Sequence, residues 1–181
     1  MALLPLAPLL VLTFGPPKRP SYTFRAGERV RYAWRTQHHG RDGTATVIIE
    51  VVKVTRGGGA DLRFQVTEPT DGSERPPQTI SVDRWFYGTD RDAHYPTALD
   101  DLRLERPGTR KNGTYALTPG DGGASVYEVR EPRPSTNRRS PGSWRRTVVL
   151  APDGGWPLGG ETSTTFGDGV VWSTSLTRLG P

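Results

Sequence analysis

Val30, Tyr32 and Trp34 alternate with Arg29, Arg31 and Arg35, so an extended backbone there carries apolar groups on one side and guanidinium groups on the other. A period of two over six positions predicts a half-buried strand. The run 44–55 differs: Val47, Ile49 and Val51 share one face and Ile48, Val52 and Val54 the other, with Glu50 as the exception. It predicts a central strand covered on both sides. Leu62, Phe64 and Val66 then alternate with Arg63, Gln65 and Thr67. Further candidate strands are 78–86, 113–117, 124–130, 144–150, 161–166 and 170–179, which brings the expectation to nine. Residues 98–105 have room for one helical turn before Pro107-Gly108 stops it.

The breaks between these runs are consistent. Asp-Gly stands at 42, 71, 121, 153 and 168, and Asn-Gly at 112, dipeptides that tolerate the positive φ of tight turns. Strands joined by such turns read as an antiparallel meander. A flat open sheet leaves two edges and one apolar face uncovered, so the pattern predicts a strongly curved sheet: a half-barrel or closed barrel, with a β-sandwich as the alternative. The length of 181 residues suits one core, and 22 Gly with 17 Pro disfavour long helices. The expected organisation is an export-signal-like segment and Pro-rich linker over 1–20, then a single all-β domain over 21–181.

The first fourteen residues, MALLPLAPLLVLTF, are apolar almost throughout before GPPKRP interrupts them. That run is shorter than the ~20 residues a membrane-crossing helix needs, and it fits the hydrophobic region of an export signal. No basic residue precedes it, and the best small-x-small site, Thr13-Phe14-Gly15, is followed by Pro16. The expectation is export to the periplasm or cell envelope, with no membrane span in the mature domain. With no Cys in the chain, disulfides, thiolate metal sites, Cys nucleophiles and a lipid anchor on Cys are excluded. The net charge of +5 rests on 24 basic residues, most of them Arg, and favours anionic partners without naming one.

Two stretches carry a family resemblance. "YTFRAGERVRYAW" (22–34) has an aromatic entry, a Gly turn and an alternating aromatic strand; "LRLERPGTRKNGTYAL" (102–117) has a short apolar stretch, Pro-Gly and a hairpin. Both resemble small bacterial envelope proteins of unknown function whose β half-barrels are similar to the lipoprotein-localisation carriers. The resemblance implies a half-barrel in the envelope and transfers no catalytic residue.

Candidate chemistry is sparse. In "RWFYGTDRDAHYP" (84–96) an extended backbone points Asp90, Asp92 and His94 the same way, a set that could hold a divalent metal. The calcium-loop template fits Asp90, Asp92 and Asp101 at its first, third and twelfth positions but has Tyr95 where Gly is required, so a solvated loop is the preferred reading. His38-His39-Gly40-Arg41-Asp42-Gly43 holds a potential general base, yet Asp42-Gly43 reads as a hairpin turn and adjacent histidines on a strand face opposite ways. The tract 130–146 contains Arg130, Arg133, Arg138, Arg139, Arg145 and Arg146 around Trp144, without any nucleic-acid motif. The aromatics Tyr32, Trp34, Trp85, Tyr87, Trp144 and Trp172 remain, and a curved sheet could gather them into a pocket.

These features together predict a monomeric, non-enzymatic envelope protein without a cofactor. It would bind a hydrophobic small molecule or another envelope protein, and no specific nucleic acid, on a concave aromatic face. A structural or interaction module without a pocket is the alternative. A hydrolase or metal-dependent enzyme is the third reading, and it would need a cluster of His, Asp or Glu inside the concavity.

Overall fold

The computed structural model describes residues 20–38, 41–69, 76–90, 96–107, 113–133, 141–169 and 171–180. Among them nine strands form one antiparallel sheet: β1 (Arg29–His38), β2 (Arg41–Val54), β3 (Ala60–Thr67), β4 (Gln78–Val82), β5 (Thr114–Pro119), β6 (Ser125–Arg133), β7 (Gly142–Leu150), β8 (Gly159–Phe166) and β9 (Val171–Arg178). The spatial order is β4-β3-β2-β1-β9-β8-β7-β6-β5. Two meanders, β1 to β4 and β5 to β9, are joined where β1 pairs with β9, Trp34 opposite Leu176.

The sheet is neither closed nor strongly curled, contrary to the barrel expectation: β4 and β5 stand at opposite edges. The physical reason lies in the connection between them. The described residues of this connection, 83–90 and 96–107, carry a short 3-10 helix (Thr97–Leu102) against β7, β8 and β9. Leu99, Leu102 and Leu104 of this strap are fully buried, as is Phe86. Tyr22, Phe24 and Trp156 complete the cover, with Phe86 edge-on to Tyr22 at 4.6 Å and 5.6 Å from Trp156. An apolar face covered by its own connections does not need to be closed by curling.

Burial alternates along β1 and β2, whereas β5 at the sheet edge is exposed at every position. Val30 and Tyr32 are buried while Arg29, Arg31 and Arg35 are exposed. Val47, Ile49 and Val51 of β2 are likewise buried, but Val52 and Val54 are exposed, so β2 is covered on one side and the two-sided expectation fails. Register places all the described strand aromatics, including Phe64, Tyr127 and Phe166, on this same inner face.

Two turn assignments are corrected. Asp42-Gly43 is not a hairpin turn: Asp42 pairs with Gln37 and Gly43 with Thr36 inside the β1–β2 ladder. The predicted strand 78–86 ends at Val82, because Asp83 Oδ1 accepts hydrogen bonds from the Trp85 and Tyr87 backbone N–H groups and turns the chain, with Phe86 at φ 65°. That turn drives the Phe86 ring into the core. By contrast, Gly122, Gly154 and Gly169 of the Asp-Gly turns all have positive φ, as read from the sequence. Asp71-Gly72 and Asn112 lie outside the described residues.

Candidate functional site

The inner face is organised in cross-strand rows. The first, Ala45, Trp34, Leu176, Gly160, Val148 and Tyr127, is apolar. Beside it runs a row of Thr36, Thr174, Thr162, Arg146 and Val129. The next contains Trp172, Thr164 and Trp144, with His38 tilted against Trp172 at 4.5 Å and Phe166 edge-on to it at 4.7 Å.

The strap delivers its own charges onto the middle row. Asp101 is fully buried and accepts a hydrogen bond from Thr174 Oγ1 at 2.6 Å. Burial pushes its pKa up to about 7, against the opposing pull of the Thr174 bond and of Arg146. Arg146 Nη1 stands 3.5 Å from Glu105 Oε1 and donates to the Arg103 carbonyl at 3.4 Å, and its guanidinium lies 4.6 Å over the Trp144 ring. Burial lowers the pKa of Arg146. Tyr87 Oη donates to Glu105 Oε2 at 3.3 Å, while Arg103 and Arg106 lie over the Tyr87 ring at 4.6 and 4.3 Å. Arg106 also pairs with Asp83 at 2.5 Å.

The predicted aromatic set is thus divided. Trp34, Trp144 and Trp172 share one end of the inner face; Tyr32 is buried within the core with its hydroxyl donating to the Pro157 carbonyl at 2.9 Å. Trp85 and Tyr87 sit on the turn after β4, the one under Arg84 and the other between two guanidinium groups. No family model, curated protein or solved structure matches the chain. Its chemistry is therefore read from its own side chains.

The remaining candidates are dispersed. Asp90 is exposed beyond the β4 turn, while Asp92 and His94 lie outside the described residues, among which no group of three metal-ligating side chains occurs. His39 also lies outside them. Among the described residues of the basic tract, Arg130 and Arg145 both pair with Glu128, lowering its pKa chiefly through the Arg130 hydrogen bond, and Arg146 points inward. Arg138 and Arg139 are outside the described residues.

Sequence reasoning missed the cluster of Asp101, Glu105 and Arg146. One signal was present: Trp144, Arg146 and Val148 are in phase on β7, so alternation alone puts this arginine on the inner face. The enzyme reading asked for a cluster of His, Asp or Glu inside a concavity; the sheet is not strongly curled, and Asp101 and Glu105 are buried between the strap and its inner face. Asp101 is engaged by the Thr174 hydroxyl, and Glu105 by the Tyr87 hydroxyl and the Arg146 guanidinium, the one ion pair of the cluster among the described residues.

Proposed function

We propose that the chain is a non-catalytic, exported, monomeric protein of the bacterial envelope that binds an amphiphilic, largely hydrophobic molecule at the Trp34, Trp144 and Trp172 end of its inner face. One observation carries this reading. The Trp34 indole Nε1 is buried and meets no acceptor among the described residues, which leaves its desolvation uncompensated. A ligand with an apolar body and an oxygen-bearing head would satisfy that donor while covering the half-buried ring. The apolar first fourteen residues and the resemblance to envelope half-barrel proteins support the location.

A pocket-free interaction module is the second reading, favoured by the strap that already fills most of the inner face. Titration of a fluorescent fatty-acid analogue into the parent protein and Trp172→Ala separates the two. Saturable binding weakened by the substitution is expected; no binding by the parent would leave the interaction module standing.

A further inference from the structure

The outer face of β1 presents three guanidinium groups, and none of them makes an ion pair with a described residue. Arg29, Arg31 and Arg35 are all exposed. At about 3.4 Å per residue they stand about 7 and about 14 Å apart along one strand. Elsewhere on this face Glu50, which stands opposite Arg29 across the β1–β2 ladder, lies 3.5 Å from Arg63, and Glu128 holds Arg130 and Arg145 at 2.5 Å each. The β1 row thus holds three exposed guanidinium groups without an ion pair to a described residue, with Glu50 across from Arg29 and Glu161 in the cross-strand row of Arg35. Open grooves flank it, one lined by Arg29, Arg31, Ile48 and Arg178, another by Arg35, Thr44, Ser173, Ser175 and Asp42.

We propose that this face binds a linear anionic polysaccharide, with Arg29, Arg31 and Arg35 pairing its carboxylate or sulfate groups and the hydroxyls of Thr44, Ser173 and Ser175 bonding its sugar hydroxyls. Guanidinium forks match either anion bidentately. The partner's class follows from what the face lacks. All described strand aromatics point inward, so the outer face offers neither a stacking platform for bases nor a Trp or Tyr anchor for a lipid interface. Asp42 in the Arg35 groove and Glu50 in the groove beside Arg29 are carboxylates that oppose binding. This site is on the opposite side of the sheet from the proposed hydrophobic site and does not depend on it.

The test is titration of polygalacturonate and of dextran sulfate into the full chain at low salt, with neutral dextran, single-stranded DNA and anionic phosphatidylglycerol vesicles as comparisons. Binding to one or both anionic polymers is expected, and the better one identifies the anion. The triple substitution Arg29→Ser, Arg31→Ser, Arg35→Ser should weaken it about tenfold or more. Arg63→Ser, Arg130→Ser, Arg145→Ser removes the same net charge from already paired positions and should weaken it about twofold or less. Asp42→Asn should tighten it. Should either triple variant fail to fold by circular dichroism, Arg35→Glu against Arg145→Glu makes the same comparison with one substitution each. Equal losses in the compared variants, no binding of either polymer by the parent, or tighter binding to DNA or vesicles would overturn the proposal.

Discussion

The backbone carbonyl of Asp101 lies directly against Gly160 of β8, where any Cβ would collide with it. The strap thus seats backbone to backbone on the sheet, and glycine at 160 sets the depth at which Leu99 and Leu102 enter the core. Gly160→Ala is expected to cost about 3 kcal/mol, at the upper end for overpacking, because the obstacle is main chain rather than a movable side chain. Gly154→Ala is the comparison: it has open space but φ +69°, so strain alone applies, about 1 kcal/mol. Urea unfolding of both variants checks the order, and equal losses would show that the strap yields.

Burial of Asp101 makes stability depend on pH in a defined direction. Its pKa rises from about 3.9 in the unfolded chain to about 7 in the fold. Between those values the native state holds a proton that the unfolded state has released. The stabilising contribution is complete below about pH 4, falls as pH rises to about 7, and is level above that. The difference in stability between the two ends of that range is about 4 kcal/mol as an order of magnitude. The neighbours facing it are Thr174 of β9, Thr162 of β8, Arg146 of β7 and Asp100 of the strap. In Asp101→Asn this slope should vanish, so the variant gains on the parent between pH 4 and 7. Parallel stability curves for the two proteins would refute the assignment.

The strands were legible because each carries the period-two pattern on its own residues: Val30, Tyr32, Trp34 and Leu62, Phe64, Val66 needed no neighbour to declare their face. The strap was not legible. Leu99, Leu102 and Leu104 obey no strand or long-helix period, and only the placement of β4 and β5 at opposite edges sets the 97–104 segment on the inner face. Closure was inferred from an apolar face without knowing that another segment covers it. For the same reason Asp101 and Arg146, separated by 45 positions, could not be paired from sequence. Trp34, Trp144 and Trp172 could be assigned a common face by alternation, but the division of Trp85 and Tyr87 from them depended on the Asp83 turn.

Arg146 and Glu105 are both buried, and removing one partner leaves the other charge uncompensated. Arg146→Met is expected to cost about 3 to 5 kcal/mol. The double variant Arg146→Met, Glu105→Gln should recover part of that loss, since the remaining amide can still accept from Tyr87. A double-mutant cycle on unfolding free energies measures the coupling. Additive losses would mean that the pair contributes no mutual stabilisation.

Trp34 decides between a filled face and a binding face. Phe86 is wholly enclosed by Tyr22, Phe24 and Trp156, so Phe86→Ala should cost about 3 to 5 kcal/mol, the ordinary consequence of emptying an aromatic site in a core. Trp34 is half-buried, packs on the core from its margin, and holds an indole N–H without an acceptor among the described residues. Truncating it removes fewer contacts and also removes a buried unsatisfied donor, so Trp34→Ala should cost clearly less than Phe86→Ala. If the ring belongs to a binding surface, the same substitution weakens uptake of a fluorescent fatty-acid analogue, whereas the paired-charge variants of the outer face leave uptake unchanged. Unfolding free energies and probe titrations on the same preparations read both effects. A loss at Trp34 as large as that at Phe86, with no probe bound by the parent, would assign Trp34 to the core and end the case for a hydrophobic ligand.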